Sequence, residues 1–317
     1  MRFPQTKLES RPGTSIVLAL MLGFGLLSLA SGCQSLQLSS ATDKFQPSNQ
    51  RNWIPEQAVL PRADIVGDTY HLRNIRNCNY VTNEDYVIEY FDRKIQLDQI
   101  QTVEFLVVPF DNLPRLAHTM LSFGLDDGTY LCLSVEVRKE IGEKYNPLLG
   151  LGRQFELMYV LADERDLIRV RTRHRDADVY VYPSVATPEQ AQALFTDVTQ
   201  RVNKLAVEPE FYHSIRNNCT TNLAAHVNEV SANKITYGWK VLLPGLSAKY
   251  AYDLGLLDRR VPFEELTRLA LVNDLAGKHY DDPDFSKRIR SPQAKLQRYA
   301  ELQSRFEQRY RDTPLQR

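Results

Sequence analysis

The chain has 317 residues, with 39 lysines and arginines against 39 aspartates and glutamates, so its formal net charge is zero. That balance excludes a global electrostatic pull toward nucleic acid or anionic lipid. With 43 % apolar and 10 % aromatic residues, the composition is not that of a disordered chain and suffices for a real core.

The N-terminus reads as an export signal. Arg2, Lys7 and Arg11 form a positive region, and residues 16–30 are apolar and uncharged. As a helix that run would be about 22 Å long at about 1.5 Å per residue, short of the roughly 30 Å hydrocarbon core of a bilayer. It therefore reads as a secretory signal rather than a span. Ala30, Ser31 and Gly32 before Cys33 look like a lipobox, which implies cleavage before Cys33 and lipidation of that cysteine. Gln34 behind it implies an outer-membrane destination under enteric sorting rules. Removing residues 1–32 takes three basic residues and one acidic residue and leaves a net charge of −2. Cys78, Cys132 and Cys219 remain. A Cys78–Cys132 disulfide would leave Cys219 free, but nothing in the sequence fixes that pairing.

Residues 33–63 are polar and read as a lipidated tether, with the folded domain expected over 64–258. "NYVTNEDYVIEYFDRKI" is rich in β-branched and aromatic residues, and "TVEFLVVPF" (102–110) is a buried-strand pattern. "HTMLSFGL" and "TYLCLSVEV" are two strands joined by Asp126-Asp127-Gly128, a hairpin turn. A second pair of strands is expected over 155–184. There Arg169, Arg171, Arg173 and Arg175 fall at period two and would share a face, either solvated or a docking strip for phosphate or carboxylate. Thr187-Pro188-Glu189-Gln190 opens a helix through a capping box with proline at its first position. Cys219 opens the next, with Leu223 and Val227 on its buried side. The segment 259–317 reads as a charged helical extension, of which residues 284–317 form a peripheral or partly disordered tail. Asn74, Arg76 and Asn77, near the start of the domain, are candidates for a headgroup or substrate site, or simply loop structure.

A cysteine at the first turn of a helix is a candidate nucleophile, because free N–H groups and the helix dipole stabilise a thiolate there. It needs a base within hydrogen-bond reach and a group that orients the base. His226 lies seven residues on, about 10 Å along a helix, too far for direct proton transfer. His118, on a strand, can face a helix packed on the sheet. A three-residue loop at 126–128 puts Ser122 opposite Cys132, Met120 opposite Ser134, and His118 opposite Glu136. Directly opposed side chains lie about 5 Å apart; a change of one residue in the loop would bring Val137 there instead. The set is then Cys219 as nucleophile, His118 as base and Glu136 as orienting acid. The sequence has no zinc-binding His-Glu-x-x-His, no Cys-x-x-Cys and no phosphate-binding Gly-rich loop, so neither metal nor cofactor is expected.

Base before nucleophile is the order of the permuted papain-like group that includes NlpC/P60-related enzymes, which "NNCTTNLAAHVN" (217–228) resembles. The implied fold is α+β, an antiparallel sheet packed against helices. A closer resemblance is carried by six blocks in order: "IRNCNY", "EYFDRKIQLDQIQTVEFLVVPF", "AHTMLSFGLDDGTYLCLSVEVRKEIGEKYNPLLGL", "RQFELMYVLADERDLIRVRT", "FYHSIRNNCTTN" and "LPGLSAKYAYDLGLLD". Over about residues 70–258 the chain resembles the Lnb N-terminal periplasmic domain family, named after a bacterial lipoprotein N-acyltransferase. The resemblance implies that Cys219 takes an acyl chain from a phospholipid as a thioester and passes it to a lipoprotein amine. The Cys219 N–H, with Asn218, would hold the oxyanion. Two other readings stay open: a thiol peptidase or amidase on peptidoglycan, and a non-catalytic envelope lipoprotein that binds a partner. An apolar groove beside Cys219 favours the acyl chain and a polar open cleft the peptide. The binding reading predicts that His118 does not reach Cys219.

Overall fold

A computed structural model of the protein describes residues 46–82, 85–111 and 113–292. The signal segment, Cys33, the start of the tether and the end of the C-terminal extension lie outside these residues. In chain order the elements are β1 (Arg62–Val66), β2 (Thr69–Arg76), β3 (Asn79–Tyr80), β4 (Tyr86–Val87), β5 (Tyr90–Gln96), β6 (Ile100–Phe110), β7 (Leu113–Leu125), β8 (Tyr130–Arg138) and β9 (Glu156–Asp163). Then come α1 (Glu164–Arg169), β10 (Tyr180–Pro183), α2 (Pro188–Val207), α3 (Cys219–Val230), α4 (Trp239–Leu242), α5 (Ser247–Asp253), α6 (Phe263–Ala270), α7 (Asn273–Lys278) and α8 (Phe285–Ile289).

The fold is α+β. One eight-stranded sheet runs β1-β2-β9-β8-β7-β6-β10, with β5 added on β2, and β3 and β4 form a small ribbon of their own. Every pairing is antiparallel except a single parallel one between Arg76 of β2 and Ala162 of β9. Helices cover both faces. On one, Leu121, Phe123 and Leu133 pack against Phe195 and Val198 of α2 and Leu223 of α3. On the other, Met120, Cys132 and Val160 pack against Ile168, Ala276, Phe285 and Ile289 from α1, α7 and α8. Burial on both faces explains why β6 and β7 read as almost continuous apolar runs rather than an alternation.

The two clearest local signals act as expected. Leu125 and Thr129 close the hairpin, with the Leu125 N–H donating to the Thr129 carbonyl at 2.9 Å and Gly128 at φ +80°. Only glycine takes that turn position without a steric cost. The register is Ser122↔Cys132 and Met120↔Ser134. Helix α2 begins at the Thr187/Gln190 capping box.

Three expectations need correction. The segment after β9 is not a strand: Asp163 caps a helix by accepting from the Arg165 N–H at 2.9 Å, α1 buries Leu167 and Ile168, and one π-helical turn (Val170–His174) continues it. The four arginines therefore share no strand face. The expected tether is not free over residues 46–63, because Arg138 ends β8 as a buried cation and draws that segment in. Its guanidinium donates to Gln57 O, Ala58 O and Asn49 Oδ1 at 2.9–3.0 Å, and it lies 4.1 Å over the ring of buried Trp53. Residues 284–292, the described part of the expected tail, are not peripheral either. Buried Leu266, Val272, Phe285 and Ile289 complete the core, and Arg290 donates to Glu104 and Glu164 inside it. Cys78, Cys132 and Cys219 are all free thiols.

Candidate active site

The site lies where the sheet parts. β7 pairs β8 only as far as Met120↔Ser134, although β7 extends back to Leu113 and β8 forward to Arg138. Beyond that rung each strand keeps its other neighbour, with Val108↔His118 on one side and Glu136↔Met158 on the other. A cavity of about 630 Å³ occupies the gap. Val135 and Val137, which face α2 and α3, and Glu136, which faces the opposite way, all line it. The cavity thus passes between the strands. This is how Cys219, packed on the α3 side, meets His118 and Glu136 from the other.

Cys219 is the first residue of α3. Asn218 caps the helix: its Oδ1 accepts from the Thr221 N–H at 2.9 Å and its Nδ2 donates to the Ser214 carbonyl at 2.7 Å. The bond to Ser214 takes one of the two Nδ2 donors, and Asn218 lines the cavity, so its second N–H stays a candidate oxyanion donor. The Cys219 N–H, at a helix position with no intrahelical acceptor, is the better donor. Thr220 pins the first turn to the sheet, its Oγ1 lying 3.2 Å from Oγ1 of buried Thr119 on β7.

Cys219 and His118 both line the cavity, and each favours the charged form of the other. His118 Nε2 lies 2.7 Å from Ser134 Oγ, and Ser134 donates onward to Glu136 Oε1 at 2.6 Å. The one hydroxyl proton of Ser134 goes to the carboxylate, so Nε2 must be the donor to Ser134. That leaves Nδ1 as the basic nitrogen of the neutral ring. Glu136 Oε1 is itself 3.5 Å from Nε2 and accepts from Arg171 Nη2 at 3.1 Å.

Burial alone would push the Cys219 thiol up; the hydrogen bond and positive charge of His118, with hydrogen bonds from Thr119, bring it down to about 7. Burial alone would lower His118; the Glu136 charge and the hydrogen bond to Cys219 raise it to about 9. Burial would likewise raise Glu136, but the charge and hydrogen bond of His118, then Arg171 and Ser134, hold it well below the usual carboxylate range. The other two thiols behave oppositely. Burial and then the Asp166 charge push Cys78 up to about 12, and burial and then the Glu164 charge push Cys132 well above its ordinary value. Cys219 alone of the described thiols is activated.

The remaining sequence candidates divide. Arg171 lines the cavity and donates to Glu136 Oε1 at 3.1 Å. Arg76 lines the cavity, but its fork is taken up by Asp166 at 2.9 and 3.0 Å. Asn74 and Asn77 do not line it. Asn74 sits at φ +59°, held by Asp92 and the Leu60 carbonyl, and the Asn77 N–H donates to the Glu89 carbonyl. Arg169 lies over the Tyr280 and Phe285 rings, away from the cavity. His226 bridges Asp197 (2.5 Å) and the Tyr159 hydroxyl (2.8 Å), tying α2 and α3 to the sheet. No group of three or more metal-ligating side chains occurs among the described residues.

Sequence reasoning missed two residues. Ser134 was within reach of it, since the hairpin register already placed it on Glu136's face two residues back. Tyr212 was not: it reaches the cavity through a loop, and burial, then the charge of Cys219, hold its phenol far above the ordinary value. A smaller apolar cavity of about 210 Å³ lies behind α3, lined by Leu121, Leu194 and Leu223 and by none of the three reactive groups.

The protein is thus an α+β domain built around an activated thiol at a helix N-terminus, with an imidazole and a carboxylate behind it. The family model of the Lnb N-terminal periplasmic domain matches residues 86–245, half of the chain, and the protein belongs to that family. The matched stretch carries His118, Ser134, Glu136, Arg171 and Cys219. No curated protein and no solved structure matches the chain. No described helix is long and apolar enough to cross a membrane.

Proposed function

We propose that this envelope protein is a thiol acyltransferase in which Cys219 carries the acyl chain, with the base-first order of a permuted papain-like enzyme. The observation that carries the reading is that Cys219 and His118 line one cavity, with His118 backed by Ser134, Glu136 and Arg171. It argues against a purely binding role, which has no use for an activated thiol. The Cys219 thiolate attacks the carbonyl carbon of a phospholipid ester, and the C–S bond forms. The oxyanion is held by the Cys219 N–H at the start of α3. The His118 imidazolium gives its proton to the leaving alkoxide as the C–O bond breaks, releasing lysophospholipid. A neutral amine then attacks the thioester, His118 takes the amine proton, and the C–S bond breaks to restore thiolate and imidazolium. Water in place of the amine makes the same machinery a hydrolase.

The cavity lining supports a phospholipid over a peptide. Phe110, Leu113, Leu116 and Leu242 offer an apolar wall for an acyl chain, and Lys139 and Arg175 offer cations to a phosphate. Lipidation at Cys33 would hold the domain at the outer membrane, beside such a substrate. The test is intact-mass analysis of the full chain after incubation with mixed phospholipid micelles. An acyl-sized, hydroxylamine-sensitive gain that is absent from Cys219→Ala and His118→Ala supports the thioester. No gain on the wild type with micelles in excess sinks the lipid reading and leaves the peptidoglycan amidase as the next substrate test.

A further inference from the structure

We infer that the rim of the cavity is an interfacial membrane-docking surface that seats the mouth on an anionic bilayer. The inference rests on the lipid reading above and adds where and how the lipid is met.

Four stretches make the rim: 110–116, 139–154, 213–218 and 234–242. Phe110, Leu113, Tyr145, Pro147, Ser214 and Leu242 from these stretches line the cavity itself. They form a joined ring. The Ser214 N–H donates to the Gly150 carbonyl at 3.0 Å and its Oγ to the Pro147 carbonyl at 2.7 Å. The Tyr237 hydroxyl donates to the Ile215 carbonyl at 2.6 Å. Gly245, just past α4, lies against the Pro114 carbonyl and joins these stretches to β7.

The outward side of this ring is apolar. Ten of the eighteen large apolar side chains exposed among the described residues fall in these stretches, which make up less than a sixth of those residues. Leu148 is 74 % exposed and Trp239 61 %. Exposed apolar residues scattered singly need no explanation, but a concentration around one mouth marks an interaction surface. The residue types fit a bilayer: Trp239 and Tyr237 are the aromatics favoured at the membrane–water boundary, and Leu148, Leu149 and Leu151 sit on one protruding turn.

Charge selects the surface. The same stretches hold seven basic residues and three acidic ones, a net +4 on a chain whose total is zero. Lys139, Lys144, Arg216 and Lys240 are among them. Basic residues beside an apolar ring attract anionic headgroups to the boundary where the aromatics settle. The mouth would then open on the acyl–headgroup boundary, where a phospholipid ester lies. A protein partner would also meet apolar side chains, but an excess of positive charge around them favours the lipid surface.

The test uses the full chain on vesicles of phosphatidylcholine with phosphatidylglycerol, some carrying brominated acyl chains. Trp239 serves as the reporter, and bromine quenches tryptophan only on near contact. A drop in tryptophan emission of at least about a third, lost in Trp239→Phe and reduced several-fold in Leu148→Glu/Leu149→Glu, is the expected result. No quenching, or quenching that persists in Trp239→Phe, overturns the proposal. Shielding of Trp239 from aqueous acrylamide only when a lipoprotein is added overturns it in favour of a protein partner. Adduct formation from a water-soluble short-chain ester is measured in parallel. Adduct without quenching removes the docking surface and keeps the thiol chemistry, and quenching without adduct does the reverse.

Discussion

Ser134 Oγ lies 2.7 Å from Nε2 of His118, closer than the Glu136 carboxylate, which is 3.5 Å away across the gap between the strands. The hydroxyl relays the carboxylate to the ring. It also fixes the tautomer, because its single proton is committed to Glu136.

Ser134→Ala removes that relay and leaves Glu136 at 3.5 Å from Nε2. The ring keeps its charge partner but loses its orientation. Thioester formation should slow by roughly tenfold, against roughly a hundredfold or more for Glu136→Gln, which removes the charge as well. Single-turnover rates of acyl-adduct formation measure both. A Ser134→Ala rate equal to wild type would show that the relay does not matter.

The pH profile follows from the two shifted groups. The thiolate is present above about 7, the value to which His118 and Thr119 bring Cys219. The imidazolium is present below about 9, the value to which Glu136 and Cys219 raise His118. The ion pair is therefore populated between the two, and adduct formation should rise through the first and fall through the second. In Arg171→Met the site loses a cation beside Glu136, while the carboxylate, held low first by His118, stays ionised; its charge then acts on the imidazolium with less competition, and the alkaline limb should move to higher pH. An unchanged limb in that variant would remove Arg171 from the site.

Much of this site was legible because one hairpin carries it. Asp126-Asp127-Gly128 fixes the register as far as Met120↔Ser134; the expected pairing of His118 with Glu136 does not form, and the two side chains instead approach to 3.5 Å across the gap where the strands part. The helix start at Cys219 is equally local, since Asn218 and Thr221 supply the cap three residues apart. What could not be read depends on distant chain. Arg171 looked like one of four arginines on a strand, because alternation at 169–175 mimics period two. The helix cap at Asp163 and the burial of Leu167 and Ile168 override that pattern. The pull of Arg138 on residues 49–58 and of Glu104 and Glu164 on Arg290 joins positions 80 or more residues apart, as in the Arg138–Ala58 bond. No window on the sequence holds both partners.

Asn218→Ala should act on stability and on the site together. It removes the acceptor of the Thr221 N–H and the donor to Ser214. Loss of an N-cap costs about 1 kcal/mol, and the buried Ser214 bond adds to it. A fall of that size in unfolding free energy, measured by urea titration, should come with slower acylation as the first turn of α3 loosens. Asn218→Asp keeps the acceptor and should recover most of the stability. If both variants unfold like wild type, the cap is not what holds Cys219 in place.

Gly245→Ala tests the closure of the rim. A methyl group at Gly245 would meet the Pro114 carbonyl and the Arg115 backbone, neither of which is a flexible side chain that can step aside. The segment after α4 would have to move off β7. Overpacking of this kind costs about 1–3 kcal/mol when the neighbours resist. Leu242 and Pro244 line the same cavity, so the displacement should open its mouth as well as destabilise the fold. Thermal unfolding gives the first effect. The rate of Cys219 alkylation by a bulky maleimide gives the second, and it should rise several-fold over wild type at a temperature where both proteins remain folded. A variant with lower stability and an unchanged alkylation rate would place the strain elsewhere and leave the mouth closed.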